Sequence, residues 1–178
     1  FQKYNNSSSG LSEVFVKGTK YDSIDFPEKS IPKNFTILTV SRYGANSNDH
    51  GRIFDGKESS WFHGHKNGYS GVAHYDKWLT DGTGFGTSWL NDKYRWVICM
   101  GNNSTDKNKG YFGGSLDNGK NIAAAHSHLS LGGNGNKTLT INNGKNSQNF
   151  GGSRSEKSDF EVAKVIIWDG HLTQNDME

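Results

Sequence analysis

The sequence predicts an all-β protein: a two-sheet antiparallel β-sandwich or jelly roll with a short C-terminal helix. Three observations carry the prediction. Hydrophobic residues make up only 31% of the 178 residues, while 23 Gly, 5 Trp, 7 Tyr and 10 Phe place the burial in aromatic side chains on a turn-rich frame. Roughly ten short β-branched and aromatic runs are cut at close intervals by Gly and Asn turns, the pattern of sandwiches rather than helical folds. The last long run, Ser158-Asp159-Phe160-Glu161-Val162-Ala163-Lys164-Val165-Ile166-Ile167-Trp168-Asp169-Gly170, becomes apolar at both parities after a half-polar start. Such a run is expected of a central strand covered on both faces.

Residues 1–12 read as a flexible lead-in, because Asn5-Asn6-Ser7-Ser8-Ser9-Gly10 offers nothing to bury. Residues 13–178 read as one domain, since no Pro-rich or charged linker divides them. Residues 14–16 and 21–26 are short strand candidates closed by Asp25-Phe26-Pro27. Residues 34–43 are a stronger one: Phe35, Ile37 and Tyr43 share one parity, and Leu38 and Val40 the other. Arg52-Ile53-Phe54-Asp55, Ser60-Trp61-Phe62-His63 and Gly71-Val72-Ala73-His74-Tyr75 then form a meander joined by Gly turns. Residues 94–100, Tyr111-Phe112, residues 129–131 and residues 139–141 supply the remaining strands. Beyond the last strand, Thr173 is an N-cap with Asp176 and Glu178 in the first turn, which predicts the helix.

Charge and apolar runs exclude several functions. A net charge of +2 with interspersed signs leaves no basic stripe for nucleic acid. No run approaches the ~20 apolar residues of a membrane-spanning helix, so a soluble chain is expected. Cys99, in the apolar setting Trp96-Val97-Ile98-Cys99-Met100, is read as inert core filling. Asn-x-Ser/Thr patterns, with Asn34, Asn103 and Asn136 the glycosylation candidates, exceed chance and point to a secreted, extracellular protein.

The fragments Phe35-Thr36-Ile37, Arg42-Tyr43-Gly44, Gly51-Arg52-Ile53-Phe54-Asp55-Gly56, Trp61-Phe62-His63-Gly64-His65, Gly71-Val72-Ala73-His74 with Trp78, Leu139-Thr140-Ile141-Asn142-Asn143-Gly144 and the final strand resemble, in this order, a laminin G-like branch of the concanavalin A-like lectin/glucanase superfamily. The resemblance covers residues from about 34 to the end. It implies a jelly roll of two facing antiparallel sheets, on a fold shared by lectins, glycosidases and adhesive matrix modules. In the hydrolase branch, two Glu flank an Asp on one strand so that the carboxyl groups lie about 5 Å apart. Here Glu156-Lys157-Ser158-Asp159-Phe160-Glu161 puts Lys157 at the third same-face position, which breaks the acid/nucleophile pair. No enzymatic activity is expected, and Asp159 and Glu161 read as a polar strand entry.

Two His-x-His pairs, His63 with His65 and His126 with His128, would each place both imidazoles on one strand face about 6.5 Å apart. They are candidate metal ligands, against the plainer reading of hydrogen-bonding His. The resemblance also implies calcium, for which Asn46-Ser47-Asn48-Asp49 and Asn102-Asn103-Ser104-Thr105-Asp106 carry suitable oxygens. Their plainer reading is Asx turns capping their own backbone.

Aromatic faces stack on pyranose rings while Asn, Asp and His bond hydroxyls. By that chemistry Tyr75, Trp78, Trp89 and Tyr111, with Asn103, are the carbohydrate-binding candidates, the turns Tyr75-Asp76-Lys77-Trp78 and Gly86-Thr87-Ser88-Trp89 foremost. The expected function is a non-catalytic extracellular recognition module that binds carbohydrate or another matrix component. The alternatives are a structural protein packing against its own copies in a matrix, coat or mineral scaffold, and a diverged glycoside hydrolase.

Overall fold

The computed structural model describes residues 2–5, 12–44, 49–57, 59–80, 94–116, 121–122, 131–144 and 156–177. They form an all-β protein of two antiparallel sheets. One sheet has seven strands, in the order β1 (Gln2–Asn5), β2 (Ser12–Gly18), β12 (Phe160–Asp169), β4 (Phe35–Tyr43), β8 (Val97–Asn102), β9 (Phe112–Leu116) and β10 (Asn121–Ile122). The other has five, in the order β3 (Ile24–Asp25), β11 (Leu139–Ile141), β5 (Phe54–Gly56), β6 (Phe62–Lys66) and β7 (Tyr69–His74). Gln2–Asn5, within the expected lead-in, pairs with β2 at the rim of the larger sheet.

The core lies between the sheets and is aromatic, as the composition predicts. Phe35, Ile37 and Tyr43 of β4 are completely buried. Phe35 meets Trp61 at 5.9 Å and Tyr75 at 5.0 Å between ring centroids, Tyr43 meets His65 at 4.9 Å, and Phe112 of β9 meets His63 at 5.5 Å. These cross-sheet ring contacts make the two layers a sandwich.

β12 is central, between β2 and β4, but it is not covered on both faces. Its register against β4 slips between Val162 and Lys164, so Ala163 sits in a β-bulge. A bulge inserts one residue and exchanges the faces that follow it. Phe160 and Val162 are buried before the bulge, and Val165 and Ile167 pack on the same core after it, whereas Lys164 and Ile166 are exposed. The doubled apolar parity is thus one core face spliced across a bulge, with a partly apolar outer row left over.

The C-terminal helix α1 (Gln174–Met177) starts where Thr173 predicts. The Thr173 amide donates to Asp176 Oδ2 at 2.8 Å, and the Asp176 amide donates back to Thr173 Oγ1 at 3.3 Å. This reciprocal cap satisfies two amides that the helix leaves unpaired. On the facing sheet, Asn67 and Gly68, at φ of 52° and 82°, form the two-residue turn joining β6 to β7.

Candidate functional site

After β7 the chain turns sharply at 75–78 and sends two aromatic rings in opposite directions. Asp76 adopts a φ of 56°, and the Tyr75 amide donates to the Lys77 carbonyl at 2.9 Å. The turn brings Trp78 back to pair with His74. Tyr75 is completely buried, stacked on Trp61 at 5.0 Å and 15°. Trp78, by contrast, is 40% exposed.

Trp78 stands edge-on to Phe62 (5.5 Å, 79°) and to His74 (5.1 Å, 83°), while His74 lies flat on Phe62 at 5.5 Å and 13°. Rings held edge-on by two neighbours lose orientational freedom before any ligand arrives. They line a cleft of about 170 Å³ with Arg52, Ser60, Lys66 and Glu156. That is below the roughly 300–1,000 Å³ of drug-sized pockets, and suits a single ring-sized group.

The polar groups of the cleft are also fixed. Arg52 Nε lies 2.5 Å from Glu156 Oε2, with its guanidinium carbon 4.9 Å from the Phe62 ring centre. Lys66 Nζ sits 5.0 Å from the Phe62 ring centre and 5.1 Å from that of Trp78, and 4.0 Å from Glu156 Oε1. Burial lowers the Lys66 pKa, partly offset by the Glu156 carboxylate. His74 Nδ1 lies 3.1 Å from the Ser60 carbonyl, an acceptor, so Nδ1 carries the proton and neutral His74 offers Nε2 as an acceptor. Behind Arg52, burial pushes the carboxyl of Asp55 up to about 7, against the pull of the Arg52 cation. The cleft therefore combines an aromatic edge and face with an ammonium donor and a carboxylate acceptor.

Of the carbohydrate-binding candidates read from the sequence, only Trp78 enters this cleft. Tyr75 offers no face to a ligand, because its ring is spent on the core. Tyr111 is half-buried, folded over Gly113 where a Cβ would strike its ring. Asn103 is 7% exposed, and its amide is fully engaged: Oδ1 accepts from the Phe35 amide at 3.0 Å and from His171 Nε2 at 2.9 Å, and Nδ2 donates to the carbonyls of Lys33 and Gly133. It is a bracket between four segments, and as a glycosylation candidate it has no free amide hydrogen. Asn34 and Asn136 are exposed. Trp89 lies outside the described residues.

His63 and His65 do share a face, but it is the inner one. Both are completely buried, and burial pushes each imidazole down to about 3. His126 and His128 lie outside the described residues. Among the described residues no group of three or more His, Cys, Asp or Glu side chains is placed to hold a metal ion. Residues 46–48 of the first calcium candidate also lie outside them. In the second, Asn102 Oδ1 accepts from the Ser104 amide, Ser104 Oγ from that of Asp106, and Asp106 Oδ1 from that of Asn108, which is the pattern of self-capping turns. Cys99 is buried, as expected, and its thiol is pushed up to about 12 by burial.

Sequence reasoning missed Phe62, His74, Lys66 and Glu156 as cleft residues. Parity on β6 and β7 could have found three of them, since Phe62, His74 and Lys66 share the face opposite His63 once the strands are paired. Glu156 lies some ninety residues further along, and the sequence marks it only within the broken acid motif, with nothing to join it to Trp78. No helix among the described residues is long and apolar enough to cross a membrane.

No protein-family model, curated protein or solved structure matches the chain.

Proposed function

We propose that this chain is a non-catalytic recognition module of the jelly-roll, laminin G-like type, and that it binds a saccharide ring in the Trp78 cleft. The observation that carries the reading is the placement of a 40% exposed Trp78 beside an ammonium and a carboxylate, all held by neighbours. An indole face covers the apolar side of a pyranose, and Lys66 and Glu156 supply one donor and one acceptor for its hydroxyls. The absence of catalysis is supported at the strand once compared with a hydrolase motif. There the Glu161 carboxylate accepts from Arg42 Nε at 2.6 Å and Asp159 Oδ1 from the Lys20 amide at 2.8 Å, so both acids are used in tying strands together. Glycan-array screening followed by calorimetric titration tests the reading. Binding of a neutral glycan that is lost in Trp78→Ala supports it; no binding across the array, or undiminished binding by Trp78→Ala, overturns it.

A second reading, assembly of copies of the chain, is favoured by one observation. Ile98 and Ile166, 40% and 36% exposed, flank Val40 and Leu38 on the outer face of the larger sheet. Sedimentation that stays monomeric at high concentration would remove it.

A further inference from the structure

A second, larger cleft opens at one end of the sandwich, between the segment 103–109 and the segment 133–137. Its volume is about 710 Å³, while a water molecule takes roughly 30 Å³. A single ion would not fill it. Its floor is the Asn103 bracket, which ties Lys33, Phe35, Gly133 and His171 together, so the two walls are held in fixed relation. Gly133 reinforces this at a φ of 121°, packed so closely on Tyr75 that no Cβ fits.

The lining carries Lys33, Lys109 and Lys137 against one acid, Asp106. Lys137 is held by Asp76 at 2.6 Å, whereas no carboxylate among the described residues pairs with Lys33 or Lys109. The Lys109 charge nevertheless reaches the site, since it helps hold the His171 pKa down, after burial. Asn103 Oδ1 is an acceptor, so His171 Nε2 must be the donor and the ring is locked in one tautomer. Around the lysines stand the amides of Asn34, Asn134 and Asn136, all exposed. Among the described residues no Phe, Tyr, Trp or aliphatic side chain lines the cleft, and the ring that does, the His171 imidazole, is tied to Asn103. A nucleobase would find only that imidazole to stack on, and a peptide would find no apolar pocket for an anchoring side chain.

We propose that this cleft binds an acidic oligosaccharide, its carboxylate or sulfate groups paired with Lys33 and Lys109 and its hydroxyls with the three asparagine amides. The site is separate from the Trp78 cleft and does not depend on it.

The test is titration of the folded chain with oligogalacturonate, with a sulfated oligosaccharide of similar length, with a neutral malto-oligosaccharide and with a poly-glutamate peptide. One or both acidic saccharides should bind, with affinity falling as salt rises, and which one binds identifies the anionic group. Lys33→Gln with Lys109→Gln should weaken that binding by about tenfold, because each lost ion pair at an exposed site is worth severalfold at most. Trp78→Ala should leave it unchanged, which separates this site from the other cleft. Equal binding of the neutral saccharide or of poly-glutamate, no binding of either acidic saccharide, or unchanged affinity in the lysine double variant overturns the proposal.

Discussion

His63 and Tyr75 lie stacked between the two sheets, their ring planes 15° apart and His63 Nδ1 2.8 Å from the Tyr75 hydroxyl. His63 Nε2 lies 3.5 Å from the Cys99 carbonyl, which can only accept. The Nε2 proton is therefore donated there, and Nδ1 accepts the Tyr75 hydroxyl proton. Protonating this imidazole would require turning a hydroxyl away inside a fully buried core.

His63 and His65 titrate at about 3 in the fold, because burial disfavours the cation, against 6.5 when exposed. The unfolded chain takes up protons first, so stability is fully present above about pH 6.5 and declines as pH falls toward 3. Each imidazole contributes a slope of up to about 1.4 kcal/mol per pH unit, and Asp55, pushed up to about 7 in the fold, offsets about one of the two between pH 7 and 4. Urea midpoints between pH 7.5 and 4.5 should fall steadily, and His65→Phe should flatten the decline; a midpoint independent of pH would contradict the buried pair.

The two aromatic rings of the 75–78 turn should separate stability from binding. Tyr75→Ala removes a completely buried ring stacked on Trp61 and should cost about 3–5 kcal/mol in unfolding free energy. Trp78→Ala loses two edge contacts at a 40% exposed position and should cost about 1 kcal/mol. Chemical denaturation of both variants checks the contrast.

Asn103 should behave as a structural residue. Asn103→Ala strands the Phe35 amide and the Lys33 and Gly133 carbonyls, and should destabilise by about 3 kcal/mol or more. Asn103→Asp should rescue little, since it keeps the acceptor but loses both donors. Thermal unfolding of the two variants reads the difference.

Deleting Ala163 should remove the bulge and leave the faces after it unchanged, because Val162 and Lys164 already oppose the consecutive partners Ser41 and Val40. Val165 and Ile167 would still point inward and Lys164 and Ile166 outward, and the chain should keep a cooperative unfolding transition. A retained transition in circular dichroism is the expected result; its loss would show that the local kink of the bulge is itself required.

Much of the architecture was legible because it follows from local period and turn chemistry. The alternation of Phe35, Ile37 and Tyr43 named the inner face of β4, and Thr173 with Asp176 named the start of the helix. The site was less legible. Polar neighbours mark Trp78 in the sequence, but they mark Tyr75 equally, and three residues of turn geometry send one ring to the core and the other to solvent. Asn103 carries the same donors and acceptors whether it meets a ligand or three other segments of its own chain, and only the fold's pairing of distant segments tells which.

From its sequence alone, this protein is committed to strands, to an aromatic core and to a capped C-terminal turn, since these depend on neighbours within a few residues. Tertiary structure decided the rest: the Ala163 bulge that selects a face, the inward aim of His63 and His65, and the meeting of Glu156 with Trp78. Each depends on registers and contacts between residues far apart in the chain, whose free energy exists only once the sheets have closed on each other.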